Sequence, residues 1–255
     1  MEMYDRPQHV SDTFSGNLSE YLLQAQWAEF VELKKAIAEA YKKKKSSLMV
    51  LDIGIGDARI LKHLVGIKEI WDSIERYDGI DIAKSCVDLS KKVIEGLNNV
   101  GGKASVRLFD ATKLNTLKEK YDLIISTWFT AGNFYPFDYD FQEIKHGYNL
   151  SANEKFTAIF KHAYEMLNPN GEIIIGSMYL DNEGTRAKQE DSYRHFGWTV
   201  ITDERDCFTA TKDGWWSQRF TQQRVYDYLS FIPKEKISFI PLDTYDYAMM
   251  VRIKL

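Results

Sequence analysis

The stretch Val50-Leu-Asp-Ile-Gly-Ile-Gly-Asp-Ala58 decides the fold of this chain. It overlaps a short apolar run, residues 48–53, that lacks polar and apolar alternation and is therefore typical of a parallel strand covered on both faces. Gly54 and Gly56 break the run, and helical spacing resumes over residues 59–65. A buried strand, a glycine loop and a helix thus follow one another. In an open α/β sheet, such a loop lies at the crevice where ligands bind.

The same alternation of strands and helices continues along the chain. Apolar runs predict further strands at residues 77–82, 104–109, 121–127 and 172–178, and helical spacing predicts helices at 18–41, 84–98, 153–167 and 221–232. This order is typical of a mostly parallel sheet with helices on both faces. Two last strands, 236–241 and 248–254, have only a short link between them, which cannot form a parallel crossover. We therefore expect a seven-stranded α/β sheet that ends in an antiparallel hairpin.

Composition excludes several classes of protein. The chain has 255 residues, of which 44% are hydrophobic and 27% charged, as in an ordinary soluble globular domain. Its 33 basic and 37 acidic residues give a net charge of −4, which disfavours nucleic acid as a partner. Cys86 and Cys207 match no metal spacing and predict reduced thiols, no bound metal and a cytoplasmic location. With no signal peptide and no apolar run near the roughly 18 residues that cross a bilayer, no membrane association is expected.

Three acidic residues stand at the ends of three successive predicted strands. Asp52 precedes the glycine loop, where it would repel a pyrophosphate and suit a cationic ligand. A carboxylate at Asp81 can accept both hydroxyls of a ribose, and one at Asp110 can read an adenine amino group. The sixth position of the loop is Arg59, a large side chain where the dinucleotide fingerprint needs a small one. The three acids therefore favour an adenosine ligand other than a dinucleotide.

These segments resemble the class I S-adenosylmethionine-dependent methyltransferases. Residues 50–58 are similar to the family's first motif, residues 121–128 to its fourth, and residues 167–175 to the segment that enters its fifth strand. The resemblance spans about residues 48–178 and returns at 221–255. Two departures are Ala58, in place of a third glycine, and Asn170, in place of a turn glycine that needs the left-handed conformation. The resemblance implies a Rossmann-like fold, S-adenosyl-L-methionine as cofactor and S-adenosyl-L-homocysteine as product.

The resemblance also implies which residues hold the cofactor. They are Asp52, Gly54, Gly56, Asp57, Asp81, Ile82, Asp110, Ala111, Ser126 and Thr127. Methyl transfer is an in-line displacement in which positioning carries much of the rate. A base is needed only where the accepting atom must lose a proton, so the sequence assigns no catalytic residue.

The substrate side is less defined. We expect a single domain with an N-terminal helical cap (1–47), a cofactor-binding core (48–177), an inserted substrate cover (178–220) and a closing helix and hairpin (221–255). Candidate substrate contacts are Trp128, Tyr135, His146, Tyr179 and Trp215. Such aromatic faces would stabilise an amine substrate or the sulfonium itself. The alternative is that these rings fill a small satellite core.

The sequence thus predicts a methyltransferase that acts on a nitrogen or oxygen atom of a small molecule. The fourth motif lacks the prolines that accompany methylation of base amino groups in the family. Two alternatives stay open: a protein or RNA methyltransferase, and a non-catalytic subunit that only binds the cofactor. An NAD-dependent dehydrogenase is a more distant alternative because of Arg59. The sequence indicates no oligomeric state.

Overall fold

The computed structural model describes residues 18–135, 151–201, 207–212, 214–242 and 246–255. The strands are β1 (Leu48–Ile53), β2 (Ile74–Asp81), β3 (Ala104–Leu108), β4 (Tyr121–Ser126), β5 (Leu167–Tyr179), β6 (Phe208–Ala210), β7 (Trp216–Gln218), β8 (Ile237–Pro241) and β9 (Ala248–Lys254). Seven of them form one sheet in the order β3-β2-β1-β4-β5-β9-β8. The first five strands run parallel, and β9 is antiparallel to both β5 and β8. The predicted fold, including its final hairpin, is confirmed.

Seven helices accompany these strands in the described part of the chain. They are α1 (Glu20–Lys44), α2 (Arg59–Val65), α3 (Lys68–Asp72), α4 (Lys84–Gly96), α5 (Glu154–Glu165), α6 (Glu183–His195) and α7 (Gln222–Tyr228). The sequence did not predict α3 or α6. The polar sequence of α6 carries too weak an apolar stripe to identify it, since helix prediction depends on that stripe. None of the helices within the described ranges is long and apolar enough to cross a membrane.

Both faces of the sheet are covered, as the continuous apolar strands predicted. Val50 and Ile174 lie in a hydrophobic cluster with residues of α1 and α2 on one face. Leu51 and Ile173 lie in a second cluster with residues of α5 and α7 on the other. Successive side chains of a strand point to opposite faces, so one run supplies both clusters. The loops at the carboxyl ends of β1, β2, β3 and β4 are thereby held on a rigid support.

The buried face of α1 differs from the prediction. The spacing of Leu23, Trp27, Phe30, Ile37 and Tyr41 predicted one buried stripe, but Trp27 is 64% exposed, and Leu23 and Tyr41 are exposed as well. The buried residues are Leu22, Ala25, Glu29, Phe30, Leu33, Ala36 and Ile37. The prediction is confirmed for Phe30 and Ile37 and was wrong for the other three, because it weighted large apolar side chains over small ones. The small Ala25 and Ala36 lie against the sheet instead, and the same face carries Glu29 into the interior.

The residues between β5 and α7 form a satellite unit on the main sheet. α6 and the antiparallel pair β6–β7 enclose a cluster of aromatic side chains. Arg219 links α6 to β6 inside this unit. Its buried guanidinium donates to Gln189 Oε1 at 3.1 Å and to Thr209 Oγ1 at 2.5 Å. Its Nε lies 3.4 Å from Asp181 Oδ1. The aromatic residues of the predicted cover are therefore packed rather than loosely attached.

Candidate functional site

The glycine loop between β1 and α2 lies close to the ends of two neighbouring strands. Gly54 and Gly56 have φ values of 77° and 59°, and Ala58 adopts the same left-handed region at 57°. The Gly54 N–H donates to the Ile80 carbonyl oxygen at 2.8 Å. A Cβ on Gly54 would collide with the methyl group of Thr130, so only glycine allows this approach. The loop thus meets both β2 and the segment that follows β4.

Asp52 lies buried beneath this loop. Its Oδ2 accepts a hydrogen bond from the Tyr77 hydroxyl at 2.5 Å, and its Oδ1 has no hydrogen-bond partner among the described residues. Burial raises the pKa of Asp52 to about 7, against the lowering effect of the Tyr77 hydrogen bond; the negative charges of Asp81 and Glu29 raise it further. A buried carboxylate oxygen without a donor is rare in folded proteins and suits a cationic or hydrogen-bonding ligand.

Asp81 connects the end of β2 to the glycine loop. Its Oδ2 accepts from the Gly56 N–H at 3.0 Å, and its Oδ1 accepts from the Ala83 N–H at 2.9 Å. The next residue, Ile82, is 41% exposed although it is apolar. The carboxylate is therefore held in a fixed orientation, with an exposed apolar surface directly after it in the chain.

Asp110 lies at the end of β3, beside this position. The Phe109 N–H donates to the Asp81 carbonyl oxygen at 2.8 Å, which keeps the two strand ends together. Asp110 Oδ1 accepts from the Thr112 N–H and hydroxyl at 2.9 and 2.7 Å. It thereby caps the short 3₁₀ helix Ala111–Thr116 and stays partly exposed. The three predicted acids thus lie at the ends of three adjacent strands.

β4 ends in a turn with an unusual backbone. Ser126 and Thr127 are buried, and Ser126 Oγ finds no hydrogen-bond partner in the part of the chain that the structure describes. Trp128 and Phe129 follow with φ values of 56° and 59°. Two consecutive bulky residues in the left-handed region are rare. We call residues 128–129 the β4 turn.

Glu29 reaches this turn from α1 and was missed by the sequence analysis. It is fully buried, and its Oε2 accepts from the Trp128 N–H at 3.0 Å. Burial raises the pKa of Glu29 to about 7, although the hydrogen bonds at its carboxylate and the charge of Arg59 lower it. A Cβ on Gly176 would collide with the same carboxylate. The available signal was an acid on the buried face, four residues from both Ala25 and Leu33.

Arg59 lies between the glycine loop and the β4 turn. Its Nε is 2.9 Å from Asp57 Oδ1, and its guanidinium carbon is 4.5 Å from the centre of a Trp128 ring. The side chain that departs from the dinucleotide fingerprint therefore packs over an aromatic ring. Such a cation–π contact orients both partners.

A small cavity of about 50 Å³ opens beside the β4 turn. Its described lining is Leu18, Leu22, Trp128, Phe129, Asn133, Tyr179, Tyr193, Phe196, Trp198, Trp215 and Ser217. None of these lining residues is charged, and most are aromatic. Trp198 and Trp215 stack with their ring centres 4.7 Å apart, and Phe129 stacks on Tyr179 at 3.8 Å.

The candidate substrate residues divide between this cavity and its surroundings. Trp128, Tyr179 and Trp215 line it. Tyr135 is buried instead in the satellite cluster, where its ring contacts Phe208 edge-on at 5.2 Å. His146 lies outside the described residues. Trp215 belongs to the satellite cluster as well as to the cavity lining, so this cluster forms one side of the cavity.

The described residues contain no cluster of three side chains that could hold a metal ion. Cys86 and Cys207 are buried free thiols. Burial raises the pKa of the Cys207 thiol, which keeps it in the less reactive protonated form.

Comparison with known proteins places the fold. No protein-family model matches the sequence, and no curated protein matches it. The CcbJ methyltransferase from Streptomyces caelestis superposes with a TM-score of 0.60 at 13% identity, over 99% of this chain and 97% of that one. The magnesium protoporphyrin IX methyltransferase ChlM from Synechocystis PCC 6803, with bound SAH, gives 0.56 at 13% identity, over 98% and 93%. A SAM-dependent methyltransferase from Methanosarcina mazei gives 0.50 at 15% identity, over 82% and 92%.

The architecture and these superpositions define the class of fold. The chain has the Rossmann-like fold of the class I S-adenosylmethionine-dependent methyltransferases, as its motifs predicted. At these low identities the likeness is one of fold. It therefore assigns no substrate and no catalytic residue to this chain.

Proposed function

We propose that this chain is an S-adenosylmethionine-dependent methyltransferase that transfers a methyl group to a nitrogen or oxygen atom of a small molecule. One observation carries the proposal: Asp81 joins the glycine loop to the end of β2. The Asp81 carboxylate accepts a hydrogen bond from the Gly56 N–H at 3.0 Å, in a fold that methyltransferases share. A carboxylate at this strand end is suited to a ribose.

The residues around the loop fit such a cofactor in charge and in polarity. Asp81 would hold the ribose, and Ile82 with Asp110 and Ala111 would contact the adenine. Gly54, Gly56 and Asp57 would lie along the methionine end, near Ser126 and Thr127. The buried Asp52 Oδ1, which has no donor among the described residues, supports a cationic ligand at this place. When bound, the cofactor supplies an electrophilic methyl group on a positively charged sulfur.

The aromatic cavity is the proposed place of the acceptor. Its wall includes Trp128, which follows β4 directly, and its described lining carries no charge. Aromatic faces stabilise the positive charge that develops on an amine nitrogen as it takes the methyl group, so an amine is the acceptor class that we favour over a carboxylate. The neutral amine would attack the methyl carbon, the bond to sulfur would break with its electrons on sulfur, and the methylated nitrogen would then release its proton to solvent. A cavity of about 50 Å³ holds only a few non-hydrogen atoms. The accepting group would therefore enter end-on, while the rest of the molecule stays outside.

Product formation tests the proposal. The purified chain is incubated with S-adenosylmethionine and a panel of small amines and phenols, and S-adenosylhomocysteine is measured together with the methylated product by mass spectrometry. We expect turnover above the acceptor-free background for at least one amine, and its loss in Asp81→Ala. RNA and protein fractions serve as comparison acceptors. Turnover with those fractions alone would favour a macromolecular substrate, and cofactor binding without any turnover would favour a non-catalytic subunit.

A further inference from the structure

The β4 turn is held in a conformation that its residues disfavour. Trp128 and Phe129 carry side chains at φ values of 56° and 59°. The left-handed conformation is unfavourable for such residues, because it brings Cβ too close to the following carbonyl oxygen. Backbone strain of this kind persists where the surrounding structure determines it, and it is concentrated at functional sites. The contacts that hold this turn therefore identify residues with a role in the site.

Contacts on the backbone and on both rings hold the turn, and one of them is the Gly132 N–H, which donates to the Phe129 carbonyl oxygen at 2.9 Å. The Trp128 N–H donates to Glu29 Oε2 at 3.0 Å. The Arg59 guanidinium covers the Trp128 ring at 4.5 Å, and the Phe129 ring stacks on Tyr179 at 3.8 Å with an angle of 16° between the planes. Both rings of the turn line the aromatic cavity. Among these groups, Glu29 is the side chain that binds the strained backbone itself.

Packing alone does not explain a carboxylate at position 29. A buried ionisable group costs several kcal/mol of solvation, and an apolar side chain of similar volume is usually at least as stabilising. The chain nevertheless makes room for Glu29, because Gly176 on β5 leaves no Cβ to collide with its carboxylate. Hydrogen bonding at Ser177 and at Trp128, and the charge of Arg59, are the specific interactions that the acid gains.

We propose that Glu29 is a positioning residue of the acceptor site: its carboxylate fixes the β4 turn, so that the Trp128 and Phe129 rings form one wall of the cavity. The inference rests on the proposed function, which gives that cavity its role. Glu29 acts through the turn and needs no contact with cofactor or acceptor. Removing its hydrogen bond should therefore displace the Trp128 ring and weaken acceptor recognition, while cofactor affinity changes little.

The test compares three variants with the wild type. Glu29→Met removes the acceptor oxygens at similar length, and Glu29→Gln keeps one carbonyl oxygen for the Trp128 N–H. Glu32→Gln is the control: Glu32 is a partly exposed acid of the same helix, paired with Lys35. Each protein is labelled with 5-fluorotryptophan, and the ¹⁹F signal of Trp128 is assigned with Trp128→Phe. The affinity for S-adenosylhomocysteine is measured by calorimetry. The KM of the amine found in the turnover panel is measured in parallel.

We expect Glu29→Met to shift or broaden the Trp128 signal, to leave the Trp71 signal in place and to raise the amine KM about tenfold, with S-adenosylhomocysteine affinity nearly unchanged. Glu29→Gln should restore the signal and the KM. An unchanged Trp128 signal in Glu29→Met would overturn the proposal. If Glu29→Met does not fold, Gly176→Ala replaces it, since the added methyl group displaces the Glu29 carboxylate from the β5 side. An unchanged Trp128 signal in Gly176→Ala would then overturn the proposal. Wild-type protein that binds no S-adenosylhomocysteine would instead refute the proposed function, which distinguishes the two failures.

Discussion

The backbone N–H of Trp128 donates a hydrogen bond to the Glu29 carboxylate at 3.0 Å, across 99 residues of sequence. The bond ties α1, which precedes the sheet, to the turn that follows its central strand β4. It lies on the same side of the sheet as Asp52, whose charge Glu29 influences. Helix α1 is thus bound to the candidate site as well as packed on the hydrophobic core.

The buried acid at position 29 should make stability depend on pH. Burial raises the pKa of Glu29 from 4.5 to about 7, so the folded state holds a proton that the unfolded state has lost. Its contribution is therefore present below about pH 4.5 and is lost as the pH rises through about 7. The free energy of unfolding should fall over this window, by up to about 3 kcal/mol from this group.

Thermal unfolding at pH 5 and pH 8 measures this effect. Glu29→Gln does not titrate, so its Tm should fall less than that of the wild type between the two pH values. Glu32→Gln, on the same helix, should follow the wild type. Equal Tm changes in wild type and Glu29→Gln would contradict the assignment.

Asp81→Ala should weaken binding of S-adenosylhomocysteine by tenfold or more, since the ribose loses its proposed acceptor (about 1.4 kcal/mol or more). The variant also leaves the Gly56 and Ala83 N–H groups without their acceptor, so a lower Tm is expected. Calorimetry gives the affinity at a temperature where the variant is folded. Asp88→Ala, which removes an exposed acid paired with Lys84, is the control and should bind like the wild type. Equal affinities in the two variants would remove Asp81 from the site.

Gly54→Ala should disturb both stability and binding. The residue has a φ of 77°, and the added methyl group would meet Thr130 after β4. We expect a lower Tm and a weaker S-adenosylhomocysteine affinity. Gly96→Ala adds the same methyl group at the end of α4, with no neighbour within 4 Å, and should leave both quantities intact. A Gly54→Ala protein that behaves like Gly96→Ala would show that the loop tolerates a side chain.

Trp215→Phe should raise the KM of the amine acceptor while leaving S-adenosylhomocysteine affinity unchanged. Trp215 lines the cavity and stacks on Trp198 at 4.7 Å, and the smaller ring loses part of that surface. Steady-state kinetics with each substrate varied in turn separate the two effects. Trp27→Phe, at an exposed position on α1, is the matched control. A KM equal to that of the control would place the acceptor elsewhere.

Much of the fold was predictable because local signals and tertiary structure agree. The bounds of β1 and α2 match the sequence prediction, since an apolar run and a helical stripe meet at two glycines. Asn170 adopts the left-handed conformation expected of it, with a φ of 66°. The acids at the ends of β1, β2 and β3 were recognisable for the same reason, because parallel strands end at one edge.

The residues around the aromatic cavity were not predictable in this way. Glu29 and Trp128 meet only because α1 crosses the sheet on a face rich in small residues, which the aromatic stripe did not indicate. The left-handed conformation of the β4 turn could not be predicted from Trp128 and Phe129, because bulky residues disfavour it. α6 lacked an apolar stripe, because its buried side includes the polar Thr185, Gln189 and Ser192. Such features follow from tertiary contacts rather than from local sequence.

Calorimetric titration of the wild-type chain with S-adenosylhomocysteine tests the central claim most directly, with NAD as the comparison ligand. We expect saturable binding at one site per chain and a rise in Tm. The added free energy of unfolding should reach about 2.7 kcal/mol at a hundredfold excess over Kd. NAD should have no such effect. A chain that binds neither S-adenosylhomocysteine nor S-adenosylmethionine, but is stabilised by NAD, would contradict the proposed function.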